Sequence, residues 1–578
     1  MKTSLLSNRV KQISVSDFIV KFLRDNGIKI IYGTPGTSEL SLMNSASLYG
    51  IEYYFTLHDT VAVGMADGFA RSNKFISAVN LHSTQGLLNS LGFIRVAKRD
   101  NIPLLVIAGI PSTTYDIYEP NHYMMNLQQA LSPVAKWVWN LSNIASLSEV
   151  FLRAISLALS PPKGPTIVCI PQDLLEKETS FTAIEKNPNT INVSEICSVA
   201  SDLDIKRTVE ILSKAKNPLI FSGYGSQNAV DEVELLADLI SSPIIAESLD
   251  RGPQVHNVYC RTNHPLFYGF FDIRIPEFRN CIMKSDVIFF IGTKATYSKV
   301  IGELPKLCNI IQLSDNSNEI GKYFRVSISL CGNIKLSLKS LCDQLKIDSK
   351  SHISEKRKKV LFKIEGIRQK KNAEIASVKL HGNSICGMQL IKAMKDSLPS
   401  GAIIVDDSQC MGYYLKHYYE FIKPNQLFGS MASHIGWALS ACLGVKIAMP
   451  SELVVCLVGD GSFMFGIQSL ATAATYKIPV LVIIANNKGY ISLKKEMAIK
   501  WKLTQKLNQN LSLNDPAFDY AQLSVSLGLK GINVFMASDL IPSIKSGLNF
   551  VSKEGKTCVI NVMMSDSWED WDESWYVK

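Results

Sequence analysis

The sequence predicts an α/β fold built from three doubly wound parallel sheets. Short apolar runs alternate with amphipathic stretches along most of the chain, and such alternation is typical of parallel βαβ units. Two polar stretches, residues 176–204 and 349–376, interrupt it. A chain of 578 residues is also too long for one hydrophobic core. We therefore predict three domains, at residues 1–175, 205–345 and 375–578.

The predicted strands are the apolar runs of each region. In the first region they are residues 28–32, 53–57, 75–81, 103–108 and 166–170. In the second they are residues 218–221, 287–291 and 310–313. In the third they are residues 402–405, 453–458, 480–485 and 557–562. The basic stretch before the third region predicts a helical linker, and the first and third regions look architecturally alike.

Composition and charge exclude several functional classes. Hydrophobic residues make up 47% and charged residues 19% of the chain, which is a globular composition. The net charge of +9 is spread along the sequence, and the densest basic run is residues 356–359. That run has no aromatic or motif context, so we interpret it as solvated surface rather than a nucleic-acid contact.

Cysteine usage and hydropathy predict the compartment. The twelve cysteines include no C-x-x-C pair, so neither a zinc site nor a disulfide framework is predicted. Residues 1–12 lack the apolar segment of a signal peptide, and no run approaches the ~18 apolar residues of a spanning helix. We expect a soluble, cytoplasmic protein with neither a membrane nor a nucleic-acid partner.

Polar residues follow two consecutive apolar runs of the third region. Asp460, between Gly459 and Gly461, ends one run, and Asn487 ends the next, 27 positions later. A helical stretch is predicted between them, at residues 467–476. A right-handed crossover would place the two strands side by side, about 4.8 Å apart. Two oxygen ligands about 2.1 Å from one Mg²⁺ can bridge that gap, with phosphate and water completing the octahedron.

The spacing therefore suits a metal clamp on a diphosphate. Gly459 and Gly461 leave the approach unobstructed, and the amides that open the following helix can face the anion. Each motif alone is more commonly a tight turn. Together they resemble the G-D-G…N-N signature of thiamine-diphosphate enzymes. That resemblance implies thiamine diphosphate and Mg²⁺ as cofactors, with the ion held by Asp460, Asn487 and the backbone carbonyl of Gly489.

The N-terminal region resembles the same family, most closely its benzoylformate-decarboxylase and acetolactate-synthase branches. The similar segments are residues 33–40, 58–71 and 81–86, and the resemblance covers nearly the whole chain. Independently of the family, Thr37, Asp59 and His82 each follow a predicted strand. They should therefore cluster at the carboxyl edge of the first sheet, where ligands bind in such folds.

The resemblance implies roles for these residues. Asp59 stands where most relatives have the glutamate that activates the cofactor, and its side chain is one methylene shorter. Thr37 and His82 fall in active-site loops, and His264 of the second region matches a histidine that benzoylformate decarboxylase uses near its substrate. Imidazole can give or take a proton near neutral pH. A lone histidine is, however, usually structural.

Further cofactor contacts are implied in the third region. Gln409 and Cys410 match positions that contact the diphosphate, and Ser433 matches a carbonyl beside the aminopyrimidine. Ile435 is expected to prop the bent cofactor, with ordinary core packing as the alternative. The other implied cofactor-binding residues surround the metal clamp: Gly459, Asp460, Gly461, Ser462, Asn487 and Tyr490.

The function implied is a 2-oxo acid decarboxylase or carboligase that forms an aldehyde or a hydroxyketone through an enamine intermediate. One alternative is an acetolactate-synthase-like condensation of 2-oxo acids. Another, suggested by Asp59, is a cofactor-binding but catalytically silent partner subunit. Glu496 stands where benzoylformate enzymes have an aromatic residue, which disfavours an aryl substrate. Relatives also imply a homodimer or homotetramer with active sites between subunits.

Two segments leave their interpretation open. Gly223-Tyr224-Gly225 is predicted to be a strand-to-helix turn rather than part of an FAD site. The acidic, tryptophan-rich tail, residues 565–578, is expected either to close over the active site or to pack on its own domain.

Overall fold

The computed structural model describes residues 13–73, 75–179, 198–248, 257–272, 274–294, 302–348, 353–501 and 510–571. The chain divides into two compact units. The first consists of residues 1–196 and 443–449, and the second of residues 197–442 and 450–578. One six-stranded parallel sheet lies in the first unit and two lie in the second.

The first sheet has an interior of almost completely buried strands. Its strands are β1 (Ile30–Thr34), β2 (Glu52–Phe55), β3 (Ser77–His82), β4 (Leu104–Ile110), β5 (Trp137–Asn140) and β6 (Thr166–Pro171). Their order is β2-β1-β3-β4-β6-β5, with every pair parallel. Strands β3, β4 and β6 are buried almost throughout, because helices cover both faces of such a sheet. Ile13–Ser14 and Glu178–Thr179 form a separate two-residue antiparallel ladder.

The second sheet has a different strand order. It consists of β7 (Pro218–Ser222), β8 (Ile244–Ala246), β9 (Phe267–Phe270), β10 (Val287–Ile291), β11 (Asn309–Ser314) and β12 (Ile328–Cys331). These run in the order β9-β8-β7-β10-β11-β12, all parallel. This is the strand order of dinucleotide-binding folds, although a fold alone does not imply that ligand.

The third sheet repeats the order of the first. It consists of β13 (Ile403–Asp407), β14 (Leu427–Phe428), β15 (Val454–Gly459), β16 (Leu481–Asn486), β17 (Lys530–Val534) and β18 (Cys558–Met563). The order is β14-β13-β15-β16-β18-β17, again all parallel. Strands β15 and β16 are neighbours, with Gly459 opposite Ala485. The residues that follow these two strands therefore meet at one edge.

The helices connect and cover the sheets. Up to the end of the first sheet they are α1 (Val15–Asp25), α2 (Leu40–Leu48), α3 (Asp59–Asn73), α4 (Ser83–Asn89), α5 (Leu91–Arg99), α6 (Leu127–Leu131), α7 (Leu147–Leu159) and α8 (Gln172–Leu175). Next come α9 (Asp202–Lys214), α10 (Val230–Ile240), α11 (Pro276–Met283), α12 (Ile334–Asp348) and α13 (Ile353–Ser377). The last are α14 (Gly387–Ser397), α15 (Met411–Tyr418), α16 (Trp437–Ala448), α17 (Asp460–Gly466), α18 (Ser469–Thr475), α19 (Ile491–Trp501), α20 (Tyr520–Ser526) and α21 (Leu540–Glu554).

The predicted fold class is confirmed: three doubly wound parallel sheets are present, and every predicted apolar run contains a strand. The linker is helical, as helix α13. Six strands were not predicted, namely β5, β8, β9, β12, β14 and β17. The helical stretch predicted at residues 467–476 is confirmed as α18, whereas the separate helix α17 that precedes it was not predicted.

None of the helices among the described residues is long and apolar enough to cross a membrane.

Candidate active site

Asp59 lies at the carboxyl edge of the first sheet as a buried acid with one unsatisfied oxygen. It opens helix α3, and the whole residue is 7% exposed. Its Oδ2 accepts a hydrogen bond of 3.1 Å from Nδ2 of Asn89, whereas its buried Oδ1 has no hydrogen-bond partner among the described residues. Such an orphan is rare in folded proteins. Oδ1 of Asp59 is therefore not used by any hydrogen bond within the described part of the chain.

Gly86 creates the space around this oxygen. A Cβ at Gly86 would lie 2.7 Å from Oδ1 of Asp59, so only glycine fits beside the acid without displacing it. Asn89 and Gly86 both belong to α4, the helix that follows His82 in sequence. One helix thus shapes the surroundings of Asp59, which the strand pattern alone did not reveal.

His82 is hydrogen-bonded to a buried glutamate that the sequence did not indicate. Glu39 is fully buried and accepts hydrogen bonds from the amide of Gly36 at 2.9 Å and the hydroxyl of Ser38 at 2.9 Å. Its Oε2 lies 2.8 Å from Nδ1 of His82. Because Glu39 fixes Nδ1 as the donor, Nε2 is left to face a ligand. An acid in a loop of small residues after an apolar strand is the signal that could have found Glu39.

A second histidine borders the same region. The ring of His122 packs edge-on against His82, with 4.9 Å between ring centroids. His122 also lines a cavity of about 680 Å³ in the first unit, together with Thr84 and Asn126. Thr37 begins a short 3₁₀ turn and is exposed, with no side-chain hydrogen bond to any described residue. The first-sheet edge therefore holds the predicted Thr37, Asp59 and His82, with Glu39, Asn89 and His122 in addition.

Asp460 lies at the carboxyl edge of the third sheet, where the clamp was predicted. It is 3% exposed, and its Oδ1 and Oδ2 accept the amides of Gly461 and Gly489, each at 2.8 Å. Burial raises the pKa of this carboxyl group to about 6, and the amide hydrogen bonds only partly oppose that shift. A carboxylate oxygen has further lone pairs, so both oxygens can still bind a ligand.

The two asparagines at the end of β16 have different environments. Asn486 is bonded within the fold: its Oδ1 accepts the amide of Lys488 at 3.1 Å and its Nδ2 donates to Asn561 at 3.0 Å. Asn487 is 7% exposed, and its buried Oδ1 has no partner among the described residues. The turn prediction fits Asn486, and the ligand prediction fits Asn487.

Gly489 completes the loop in a conformation that favours glycine. Its φ is +151°, and a Cβ there would lie 2.3 Å from the carbonyl oxygen of Leu511. At Gly461 a Cβ would lie 2.8 Å from the ring of Tyr490, so that ring packs directly on the start of α17. Gly459 is different, since a Cβ there would meet only the carbonyl of Ser408, at 3.7 Å.

A buried lysine beside the clamp was not predicted. Lys494 of α19 is 7% exposed. A Cβ added at Gly489 would lie 3.2 Å from Nζ of Lys494, so the ammonium group lies close to that glycine. It forms no hydrogen bond or ion pair with any of the described residues. Burial lowers the pKa of Lys494, against the attraction of Asp566 and Asp460. An ammonium group with all its donors available beside Asp460 suits a phosphate ligand.

Two further acids end strand β13. Asp406 and Asp407 are each 3% exposed. Oδ2 of Asp407 accepts the amide of Gly436 at 2.7 Å, and burial, reinforced by the charge of Asp406, raises its pKa to about 8. Burial likewise raises the pKa of Asp406 to about 6. Asp407 thus connects the loop of residues 433–436 to the edge of the third sheet through a hydrogen bond.

The predicted residues of that loop and of the segment before α15 lie at the same edge. Ser433 has a left-handed φ of +49° and Gly436 one of +88°. Ile435 is partly exposed, as are its neighbours at 432 and 434, and it is not among the buried core residues. Gln409, also left-handed at +51°, is partly exposed, whereas Cys410 is buried.

His264 makes its described contacts elsewhere in the second unit. Its Nδ1 accepts the amide of Leu266 at 3.3 Å, its Nε2 lies 3.8 Å from Asp238, and its carbonyl accepts Arg368 at 2.8 Å. None of these partners belongs to the loops around Asp460. The described contacts of His264 are therefore those of a structural histidine, and none of them is with Asp460, Asn487 or Gly489.

The two segments of open interpretation have defined contacts. The amide of Tyr224 donates to Glu247 at 3.0 Å, and a Cβ at Gly223 would lie 2.5 Å from that carboxylate. The carboxylate of Glu247 therefore binds the backbone of this turn, which fits the turn interpretation. In the tail, Trp571 is 1% exposed and donates to the carbonyl of Ser565 at 3.1 Å. Residues 565–571 pack on their own domain, and residues 572–578 lie outside the described residues.

Three family models match the chain in order. They are described as the N-terminal TPP binding domain, the central domain and the C-terminal TPP binding domain of thiamine pyrophosphate enzymes, and they match residues 13–131, 205–341 and 385–562.

Relatives of known name match over nearly the full length. The chain is 27% identical to the acetolactate synthase large subunit of Buchnera aphidicola subsp. Acyrthosiphon pisum, covering 96% of this chain and 95% of that protein. It is 25% identical to the acetolactate synthase isozyme 3 large subunit of Escherichia coli, covering 94% and 93%.

A solved structure shares the fold. The thiamine diphosphate-dependent 4-hydroxybenzoylformate decarboxylase of Rhodococcus jostii superimposes with a TM-score of 0.81 at 23% identity, covering 96% of this chain and all of that one. These matches confirm the resemblance on which the sequence analysis relied.

Proposed function

This chain belongs to the thiamine pyrophosphate enzyme family and is a thiamine-diphosphate-dependent decarboxylase or carboligase; we propose that it acts on a 2-oxo acid and holds its cofactor through Mg²⁺. The observation that carries the proposal is the buried pair of Asp460 and Asn487. They follow neighbouring strands, and the oxygen of Asn487 has no partner among the described residues.

The donors at this edge fit Mg²⁺. Asp460 supplies a carboxylate, Asn487 an amide oxygen and Gly489 a backbone carbonyl, and all three are the hard oxygen ligands that Mg²⁺ prefers. Mg²⁺ normally takes few protein ligands and completes its octahedron with water and phosphate. We propose these three groups as the metal ligands, because no described residue forms a hydrogen bond with the side-chain oxygen of Asn487.

Lys494 is proposed to bind the diphosphate. Its ammonium lies buried beside Gly489 with its donors available, and a phosphate oxygen would compensate its charge. Gln409, Cys410, Ser462 and Tyr490 are proposed as the remaining contacts at this end. Ser433 and Ile435 are proposed to face the aminopyrimidine and the bend of the cofactor.

When bound, thiamine diphosphate supplies the electron sink for loss of CO₂ from the substrate. The chain itself must then exchange one proton with the aminopyrimidine, and we assign this task to Oδ1 of Asp59. Asn89 fixes the other oxygen, so the carboxylate presents a single free position. Aspartate thereby keeps the ionisable group of the family's glutamate, with a shorter reach.

His82 is proposed to move the substrate proton. Glu39 accepts a hydrogen bond from Nδ1, so Nε2 is the nitrogen that can accept or give the proton. The exposed hydroxyl of Thr37 is proposed to orient the substrate at the same edge. His264 is retained as a candidate by resemblance only.

The direct test is CO₂ release from a panel of 2-oxo acids, with pyruvate, branched and aryl members. Each is incubated with thiamine diphosphate and Mg²⁺, with either omitted, and with the Asp460→Ala variant as control. Release that requires both cofactors and Asp460 is expected. Release that persists without the cofactor would overturn the proposal.

Product analysis in the same samples separates the two branches. The named relatives support a condensation that yields an acetohydroxy acid, and the solved neighbour supports an aldehyde. A silent partner subunit is the second candidate, favoured specifically by the shortened acid at position 59. Saturable cofactor binding without CO₂ release from any substrate would establish that candidate instead.

We also propose a homodimer in which each active site takes its acid from one subunit and its metal clamp from the other. Mixing the inactive variants Asp59→Ala and Asp460→Ala tests this directly. In a dimer with twofold symmetry, shared sites would restore about a quarter of the wild-type activity after subunit exchange. Mixtures that stay inactive, although mass spectrometry shows exchange, would contradict shared sites.

A further inference from the structure

A second group of charged residues surrounds a cavity within the second unit. The cavity has a volume of about 260 Å³ and lies between the segment around β9, the linker helix α13 and helix α15. Its wall includes three cations, Arg368, Lys371 and Lys416, and one acid, Glu420, together with several aromatic rings. None of these residues takes part in the cofactor site proposed above.

The neighbouring carboxylate is shared among several cations. Asp272 is bound at both oxygens by Arg274, at 2.8 and 2.5 Å. Lys416 and His417 lie 3.4 and 3.5 Å from the same Oδ2. Burial opposes ionisation of Asp272, but the hydrogen bonds of Arg274 and His417 and the charge of Lys416 outweigh it and hold its pKa well below the usual range. The single negative charge of Asp272 is therefore shared between Arg274 and Lys416.

Lys371 has no such partner. It forms no hydrogen bond or ion pair with any of the described residues, and its Nζ lies 3.8 Å from the position of a Cβ on Gly269. Glu374, one turn further along α13, accepts a hydrogen bond from Tyr418 at 3.1 Å instead. Burial, reinforced by the charge of Lys416, lowers the pKa of Lys371 to about 8, still above neutral pH. The charges of Glu374 and Asp272 attract the ammonium group of Lys371, but neither carboxylate forms an ion pair with it.

We propose that this cavity is a binding site for a small oxyanion of the phosphate type, with Lys371 and Lys416 as its cationic contacts and Arg368 at its rim. The cavity wall carries three cations and one acid, Glu420, and that acid is itself paired with Lys395 at 2.7 Å, so the wall suits an anion. Ammonium and guanidinium groups are the usual protein partners of phosphate oxygens.

Calorimetric titration of the enzyme with inorganic phosphate tests the site. Saturating thiamine diphosphate and Mg²⁺ are present, so that the cofactor's own diphosphate site is filled. We expect one saturable site per chain, and about tenfold or greater loss of affinity in Lys371→Met. Lys371→Arg keeps the charge and should keep the binding. Lys370→Met, which removes an exposed lysine next along the same helix, is the matched control and should bind as the wild type does.

Three outcomes would overturn the proposal. They are no saturable phosphate binding at millimolar concentrations, unchanged affinity in Lys371→Met, and equal losses in Lys371→Met and Lys370→Met. Thermal unfolding of each variant verifies that it is folded. The cofactor site can fail its own tests without affecting this result, because the lysine comparison does not depend on catalysis.

Discussion

The first and third sheets have the same strand order but opposite chemistry at their carboxyl edges. In both, the order reverses between the first and third strands along the chain, which is the usual location of ligand crevices. The first sheet places Asp59, Glu39 and His82 there, which are ionisable side chains. The third places Asp460, Asn487 and Lys494 there, which offer oxygen donors suited to a cation and an ammonium group suited to an anion. The topology thus determines where loops converge, and the loop residues determine what they bind.

Glycines serve both edges in the same way. Gly86 leaves space for the carboxylate of Asp59, and a Cβ at Gly36 would lie 2.2 Å from the ring of His82. At the third sheet, Gly461 leaves space for Tyr490, and Gly489 lets the chain pass close to Leu511. In each case a functional side chain or backbone occupies the volume that a side chain would have filled.

The largest expected effect on cofactor affinity comes from replacing the proposed metal ligand Asp460. Asp460→Ala removes the only side-chain carboxylate of the clamp, so thiamine diphosphate should bind at least about a hundredfold more weakly, in line with the 2–5 kcal/mol cost of losing one partner of a buried charge pair. Calorimetry in the presence of Mg²⁺ measures this. The control is Asp519→Ala, which removes the exposed N-cap carboxylate of α20. Equal binding by the wild type and Asp460→Ala would show that this edge holds no metal.

Replacing the acid at the edge of the first sheet should lower turnover rather than the affinity for the cofactor. Asp59→Asn keeps the size of the side chain and the contact with Asn89 but cannot ionise, so the rate should fall by about 10²–10⁴, the usual contribution of a general acid or base. Cofactor affinity should change by less than about tenfold, because the diphosphate is held at the third sheet. Steady-state kinetics and calorimetry together separate the two effects. Unchanged turnover in Asp59→Asn would remove Asp59 from the mechanism.

Glu39→Gln tests whether Glu39 determines the tautomer of His82. The variant keeps an oxygen acceptor but loses the charge that fixes Nδ1 as donor, and turnover should fall by about ten- to a hundredfold, as for other residues that orient a functional histidine. Nitrogen NMR of the imidazole should show a mixed tautomer. Ser38→Ala, which removes the donor to the other oxygen of Glu39, should cost less. A pure Nδ1-protonated tautomer in Glu39→Gln would show that the glutamate does not orient the ring.

The smallest expected effect concerns the anion. Lys494→Met should weaken thiamine-diphosphate binding by about tenfold, the value of one charge-assisted hydrogen bond, and should reduce its dependence on salt. Lys495→Met is the matched control, since Nζ of Lys495 is bonded to the carbonyl of Trp571. If both variants bind alike, Lys494 does not contact the diphosphate.

The strands that the sequence failed to predict lie mostly at sheet edges. Strands β5, β9, β12, β14 and β17 each end a sheet. An edge strand is covered less completely than an interior one, so it needs no continuous apolar run. Strand β17, for example, is only partly buried along most of its length, and β14 has two residues. Interior strands such as β16 are buried throughout and are plain in the sequence.

The candidate site shows a similar limit. Asp460, Asn487 and Asp59 were predictable because each follows an apolar strand in a recognisable motif. Glu39 and Asn89 were not, because their importance depends on contacts with His82 and Asp59, which are 43 and 30 positions away. The different environments of Asn486 and Asn487 also depend on a distant residue, Asn561. Sequence motifs predict which sheet edge holds the site. Hydrogen-bond partners that are distant in sequence determine which side chains at that edge remain available to a ligand.

The most direct test of the account is calorimetric titration of the purified chain with thiamine diphosphate, with Mg²⁺ or with a chelator. The account predicts saturable binding that requires the ion and is retained by Asn486→Ala in folded protein but lost by Asn487→Ala. Binding that is equally strong in the presence of the chelator, or equally strong in both asparagine variants, would contradict it.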